Sequence, residues 1–258
     1  MNFFKKNYPV LVIFALVTLT FSACKDDDEP TAVDCDNFQW AYEGNEGPAN
    51  WFECNTDCGG TVQSPIDVTG AQADASLTAL STHFEAVPVE LINNGHTVEF
   101  EYEAGSKLTL NGADFELLQF HFHTESEHTV NGTHYPMEAH LVHKNNATGA
   151  LAVIGIFFEE GAENVFLKNF SDNLPAAKDD HVSDSATTVD VTDLLPADNS
   201  YFTYSGSLTT PPCSEIVTWL VMKTPVEASA DQISKFHTIM HDNNRPIQGL
   251  NGRTITEF

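Results

Sequence analysis

Two stretches carry the residues best suited to chemistry. In Gln119-Phe120-His121-Phe122-His123 an amide and two imidazoles occupy alternate positions. On a strand they share one face, and Phe120 and Phe122 take the other. In Met137-Glu138-Ala139-His140-Leu141-Val142-His143, the side chains of Glu138, His140 and Val142 share a face in the same way. Two imidazoles from one strand and one from its neighbour can converge on a tetrahedral cation and leave its fourth position open. Three protein ligands plus water is the arrangement of catalytic zinc sites, whereas structural sites close all four positions. Imidazole also suits copper and nickel, so zinc is a preference among ions. Gln119 and Glu138 lie on the correct faces to accept the second ring N–H of a ligand His, which sets its tautomer and orientation. His143 faces away from His140 and reads as structural, while pattern alone leaves His128 open.

The elements that must position these residues are strands. Alternating or apolar stretches predict strands over 89–92, 96–102, 107–110, 115–123, 134–144 and 151–158, the last almost wholly apolar and therefore central. Asn93-Asn94-Gly95 and Asn111-Gly112 are turn signals between them. Residues 164–174 and 231–240 read as short helices. No repeat or linker interrupts residues 35–258, so one mostly-β domain with small peripheral helices is the simplest organisation.

The chain has 258 residues, with 11 Lys and Arg against 37 Asp and Glu, a formal net charge of -26. So acidic a surface argues against nucleic acid as a partner, because phosphate backbones need a basic footprint. With 41% hydrophobic residues it is nonetheless a folding sequence and not an acidic tail.

The first residues read as an export signal: Lys5 and Lys6, a short apolar run, then Phe21-Ser22-Ala23-Cys24 and an acidic stretch. This resembles the lipobox of bacterial lipoproteins, in which the Cys becomes the acylated first residue. Residues 1–23 are then a lipoprotein-type signal peptide, 24–34 an acidic tether and 35–258 the domain. The expected location is that of an exported outer-membrane lipoprotein, at the cell surface or on the periplasmic face. Contact with the membrane would be through the lipid on Cys24 alone. Cys35, Cys54, Cys58 and Cys213 remain, in a setting that permits disulfides, and spacing alone allows three pairings.

Further stretches now bear on the function: Trp40-Ala41-Tyr42 with Gly47-Pro48 and Trp51; Gln63-Ser64-Pro65-Ile66; Asn93-Asn94-Gly95-His96; Ser126-Glu127-His128-Thr129-Val130-Asn131-Gly132; Gly206-Ser207-Leu208-Thr209-Thr210-Pro211-Pro212-Cys213 with Trp219; and Asn244-Arg245-Pro246-Ile247-Gln248. Together with the two His strands, and in this order, they resemble the alpha-class carbonic anhydrases over nearly the whole mature domain.

The resemblance implies a fold centred on a ten-stranded, mainly antiparallel twisted sheet. It implies zinc on His121, His123 and His140, and reversible hydration of carbon dioxide to bicarbonate and a proton by zinc-bound hydroxide, with weak esterase activity on the side. Thr209 is similar to the residue that accepts a hydrogen bond from the hydroxide, and Glu127 to the acceptor of the Thr209 hydroxyl. His96 resembles the proton shuttle. Tyr42, Asn94 and Thr210 match a polar wall, and Val142, Val153, Leu208, Val217 and Trp219 an apolar wall where carbon dioxide rests. His128 matches a buried His near Glu138 and Tyr204. Sulfonamides and small anions are implied as inhibitors, and a homodimer is common among bacterial relatives. The resemblance also implies cis bonds at Ser64-Pro65 and Pro211-Pro212. It implies a Cys58–Cys213 bridge, leaving Cys35 and Cys54 as a second pair like the extra bridge of some membrane-anchored relatives. The chain departs from the pattern at Thr124-Glu125 and at Glu99, where many relatives have Asn or Gln. A carboxylate at Glu99 is expected to raise the His96 pKa.

Other readings are weaker. Neither G-x-S-x-G nor H-E-x-x-H occurs to support a dedicated hydrolase. A non-catalytic relative would lack a metal His, and a storage protein would carry its ligands on a mobile segment.

Overall fold

Alternation of apolar and polar residues builds the sheet, and one apolar strand occupies its middle. The structure, a computed structural model, describes residues 33–258. The leader, Cys24 and most of the acidic tether lie outside the described residues. Strands form over all six predicted stretches. The stretch from 134 becomes strand only at Met137, because Pro136 has no N–H to give to a ladder.

The sheet runs His181–Val189, Val87–Asn93, Val98–Glu101, Ala113–His123, Met137–Lys144, Leu151–Glu160, Val217–Met222, Tyr201–Gly206, Thr256–Glu257, Gln72–Ala73. That path has ten strands, and Ser81–His83, Lys107–Leu110 and Val226–Ala228 attach to it to make thirteen. Most pairings are antiparallel. Leu151–Glu160 runs parallel to both Val217–Met222 and Val226–Ala228, as a strand covered on both faces often does.

Register decides which residues share a face. His121 lies opposite His140, Gln119 opposite Val142 and His123 opposite Glu138. Across the next pairing, Val142, His140 and Glu138 meet Val153, Gly155 and Phe157, and Val153 then meets Trp219. The three His therefore share a face with a buried cluster of Val153, Phe157, Val217, Trp219 and Val221. Phe120, Phe122, Ala139, Leu141, Ile154 and Ile156 fall on the opposite face, in the larger core. The sheet between these two packed layers is a stiff support for the imidazoles.

The helix expected over 164–174 is shorter than that. Only Val165–Lys168 is helical, capped by the Asn164 side chain accepting from the N–H groups of Phe166 and Leu167. Asn169, Ser171, Asp172 and Asn173 follow, residues whose side chains compete for backbone partners and favour turns. The second predicted helix is Ala230–Met240, opened by a capping box between Ser229 and Gln232. Ser64–Pro65 and Pro211–Pro212 are both cis, and so is Thr124–Glu125.

His143 lies in the larger core beside Phe84, fully buried, with Nδ1 donating to the Leu141 carbonyl at 2.9 Å. Burial pushes its pKa down to about 4 from the ordinary 6.5. Unfolding lets this His take a proton near pH 6.5, while the folded chain resists until about pH 4. Its contribution to stability is therefore complete above pH 6.5 and is lost as pH falls toward 4, by about 3 kcal/mol. His143→Leu is expected to flatten that part of the stability–pH curve in urea unfolding. An unchanged slope would refute the assignment.

Candidate metal centre

His121 and His123 end one strand, and His140 faces them from the next, so three ring nitrogens lie within 4.8 Å of one another. The outer nitrogen of each ring is engaged. His121 Nδ1 pairs with Gln119 Oε1 at 2.8 Å, His123 Nδ1 with the Asn243 carbonyl at 2.7 Å, and His140 Nε2 with Glu138 Oε1 at 2.9 Å. Each acceptor holds the proton on the outer nitrogen and leaves the inner lone pair free for a cation. His123 Nε2 is buried with no hydrogen-bond partner. Burial, and then the neighbouring imidazoles, hold His121 well below its ordinary pKa, and burial lowers His123 as well. Neutral rings are the form that binds metal. The residues present fit a cation with three imidazole ligands.

His128, Glu138 and His140 also lie close together, but as a hydrogen-bonded chain. Glu138 Oε1 takes His128 Nδ1 at 2.8 Å as well as His140, and Oε2 takes the His128 N–H at 2.9 Å. His128 Nε2 then meets the Tyr204 hydroxyl at 2.6 Å. Burial alone would raise the Glu138 carboxyl, but His128 and His140 outweigh it and hold the group well below its ordinary pKa. A Cβ added to Gly155 would stand 2.9 Å from Glu138 Oε1. That carboxylate is fully buried and pinned by three bonds, so it cannot yield cheaply. Gly155→Ala is expected to weaken metal binding by about 10–100-fold, the usual cost of disturbing a ligand's outer partner. Competition with a chelator measures this, and wild-type affinity would refute it.

Glu127 is fully buried. Its Oε1 accepts the Arg245 backbone N–H at 2.9 Å, and its Oε2 lies 3.6 Å from His123 Nε2 and 3.8 Å from His140 Nδ1. The expected bond from the Thr209 hydroxyl to Glu127 is not formed, and Oε2 has no hydrogen-bond partner. The Arg245 N–H holds the carboxylate with this oxygen beside the imidazoles. Thr209 is buried in a tight loop closed by Leu208 N–H to Ser214 O and Cys213 N–H to Thr210 O.

Trp40, Tyr42, Asn94, His96, Glu99, Gln119, His121, His123 and Thr210 line a cavity of about 100 Å³. Burial, and then the charge of Glu127, push the Tyr42 phenol well above its ordinary pKa, so it stays protonated. Glu99 does not act on His96 as expected. Its carboxylate accepts from Asn94 Nδ2 at 3.3 Å and Gln119 Nε2 at 3.4 Å, and the His96 pKa is lowered, by burial and then by Lys178. Glu125 is exposed. On the other side of the ligands, Trp219 lies with its ring 4.8 Å from His140 and Nε1 donating to the Ser207 carbonyl at 3.1 Å. Val153 and Val217 are buried with it, and Val142 and Leu208 pack partly buried against them.

Three contributors were not legible as such. Asn243 accepts from His123, and its side chain binds Thr124 N–H, the Phe122 carbonyl and the His96 carbonyl. Arg245 reaches Gln63 Oε1, Ser64 O and Cys58 O. Trp40 stacks on His96. Trp40 and Arg245 lie in stretches that carry the resemblance and Asn243 in none, but each of these contacts joins residues far apart in sequence, and no local spacing marks it. Cys58 pairs with Cys213 and Cys35 with Cys54.

Fold and site together define a class: a β protein with three converging imidazoles that could hold a metal ion, set on a twisted sheet between a polar and an apolar wall. The sequence model of the eukaryotic-type carbonic anhydrases matches residues 46–258. A carbonic anhydrase of Klebsiella pneumoniae is 46% identical over 225 residues, covering 84% of this chain and 90% of that protein. The solved alpha-carbonic anhydrase of Photobacterium profundum superimposes with a TM-score of 0.81 at 40% identity, covering 84% of this chain and all of that one. That of Thermovibrio ammonificans, solved with the inhibitor sulfanilamide, gives 0.81 at 41% identity, covering 84% and 98%. The chain belongs to the eukaryotic-type, or alpha, carbonic anhydrase family of enzymes.

Proposed function

We propose that this enzyme is a zinc-dependent carbon dioxide hydratase, forming bicarbonate and a proton reversibly, with a weak esterase activity at the same site. The observation that carries the reading is the set of three inward imidazole nitrogens, with His123 Nε2 buried and unpartnered among them. Three imidazole nitrogen ligands with an open fourth position suit zinc. A zinc ion held there supplies the Lewis acidity that makes water an effective nucleophile near neutral pH.

The chain's own residues do the rest. Gln119, Glu138 and the Asn243 carbonyl orient the ligand rings. Glu127 Oε2 has no hydrogen-bond partner and is available to accept a hydrogen bond from the Thr209 hydroxyl, leaving the Thr209 oxygen to accept from the attacking water and aim its lone pair. Val142, Val153, Leu208, Val217 and Trp219 offer carbon dioxide an apolar surface that needs no charged clamp. Tyr42, Asn94 and Thr210 present polar groups along the path to His96. That imidazole, neutral at pH 7 because burial lowers its pKa, accepts the product proton and passes it to buffer.

Sulfonamides and small anions are expected at the open position, in keeping with the sulfanilamide complex of the Thermovibrio ammonificans enzyme. Export and acylation at Cys24, with the domain at an outer membrane, belong to the same proposal and rest on the leader sequence. Stopped-flow hydration with metal analysis tests the chemistry. One zinc per chain, with activity lost to a chelator and restored by zinc, is expected. A full metal complement without hydration would refute it.

A further inference from the structure

We propose that Asn111 is a site of spontaneous deamidation, where an exposed side-chain amide becomes a carboxylate, and that the fold withholds the chain's other Asn-Gly pairs from the same reaction. There are four such pairs: Asn94-Gly95, Asn111-Gly112, Asn131-Gly132 and Asn251-Gly252. In the reaction the backbone nitrogen of the glycine loses its proton and attacks the Asn side-chain carbon Cγ. A C–N bond forms, the bond from Cγ to Nδ2 breaks, and ammonia leaves with the proton, giving a five-membered succinimide. Water then opens the ring at either carbonyl, to aspartate or to isoaspartate. Glycine favours the attack because no Cβ shields its nitrogen or restricts the rotation that brings it to Cγ. The requirements are a side-chain amide free to swing and a glycine N–H free of other partners.

The structure meets both at the second pair. Asn111 and Gly112 are the two loop residues of the hairpin between Lys107–Leu110 and Ala113–His123, with φ of 51° and 78°, the left-handed values that such a turn needs. Both are exposed, and among the described residues neither the Asn111 amide nor the Gly112 N–H has a hydrogen-bond partner. A Cβ added to Gly112 would meet nothing within 4 Å, so the space beside its nitrogen is open. At the first pair, Gly95 N–H donates to Asn93 Oδ1 at 2.9 Å, and Asn94 Oδ1 takes the N–H groups of His96 and Thr97. At the third, Gly132 N–H donates to Asp67 Oδ1 at 2.8 Å, and a nitrogen anion there would face a carboxylate. At the fourth, Asn251 Nδ2 is held by the Thr61 carbonyl at 3.0 Å. The protection matters most at Asn94, which lines the cavity beside His96. Asn111 instead precedes the strand whose far end carries His121 and His123.

The test is peptide mapping of the full protein held at mildly alkaline pH, which favours loss of the glycine N–H proton, with a parallel sample in urea. Deamidation reads as a gain of one mass unit, and fragmentation assigns it to a residue. In the folded protein Asn111 is expected to react several-fold faster than Asn94, Asn131 or Asn251, giving aspartate and isoaspartate together. In urea the four rates are expected to converge, because the fold is what separates them. Asn111→Gly keeps a residue suited to the turn and is expected to remove the main acidic species that accumulates on isoelectric focusing. An intact Asn111 in the folded protein, or a faster reaction at another Asn-Gly pair, overturns the proposal. The same ranking in urea overturns the protective role of the fold.

Discussion

His123→Ala is expected to strip the metal and with it the hydration activity. Its inner nitrogen has no other partner, and its outer nitrogen is fixed on the Asn243 carbonyl at 2.7 Å. Loss of an outer partner costs about 10–100-fold in metal affinity, and loss of a ligand costs more than that. The variant is expected to bind zinc over 100-fold more weakly by chelator competition. Its hydration rate is expected to fall in proportion to the bound metal. His143→Leu on the same face as the larger core serves as the control, since it removes a buried imidazole without touching the centre. Retention of tight zinc by the His123 variant would mean that the ligand set is wrong.

The Cys58–Cys213 bridge is expected to dominate covalent stability. It spans 155 residues, against 19 for Cys35–Cys54. Chain entropy alone assigns about 5 kcal/mol to the longer loop and about 3 kcal/mol to the shorter. Both longer-loop sulfurs are buried in a cluster with Trp51, so replacing them by Ser also leaves two hydroxyls in an apolar setting. Cys213 closes the loop that holds Thr209, and its carbonyl accepts from Gln63 Nε2 at 3.2 Å. The double Ser variant at 58 and 213 is expected to lose about 5 kcal/mol or more in urea unfolding. It is also expected to turn over more slowly, because the loop that carries Thr209 and places Thr210 on the cavity wall loses its covalent tie. A smaller loss than that of the Cys35–Cys54 double variant would reverse the ranking.

Local spacing determined a good part of this protein. Strand period alone puts His121 and His123 on one face with Gln119, and His140 on a face with Glu138, because side chains alternate whatever the strand pairs with. It also puts His143 on the far side, where the structure has it buried against Phe84. The apolar run from 151 had to be a central strand, since it has no face to give to water. The same local reasoning overextended the helix after Asn164, where polar side chains turn the chain after four residues.

Tertiary structure decided what crosses the chain. Register places His121 opposite His140, and a slip of one residue would turn one of them to the other face. The third orienting acceptor, Asn243, comes from 120 residues beyond His123. The Arg245 N–H that leaves Glu127 Oε2 beside the imidazoles, and the indole of Trp40 against His96, arrive the same way. A residue type and its near neighbours set which face a side chain takes. Which backbone carbonyl or ring meets it there is settled only when distant segments pack, because those contacts carry no period along the chain.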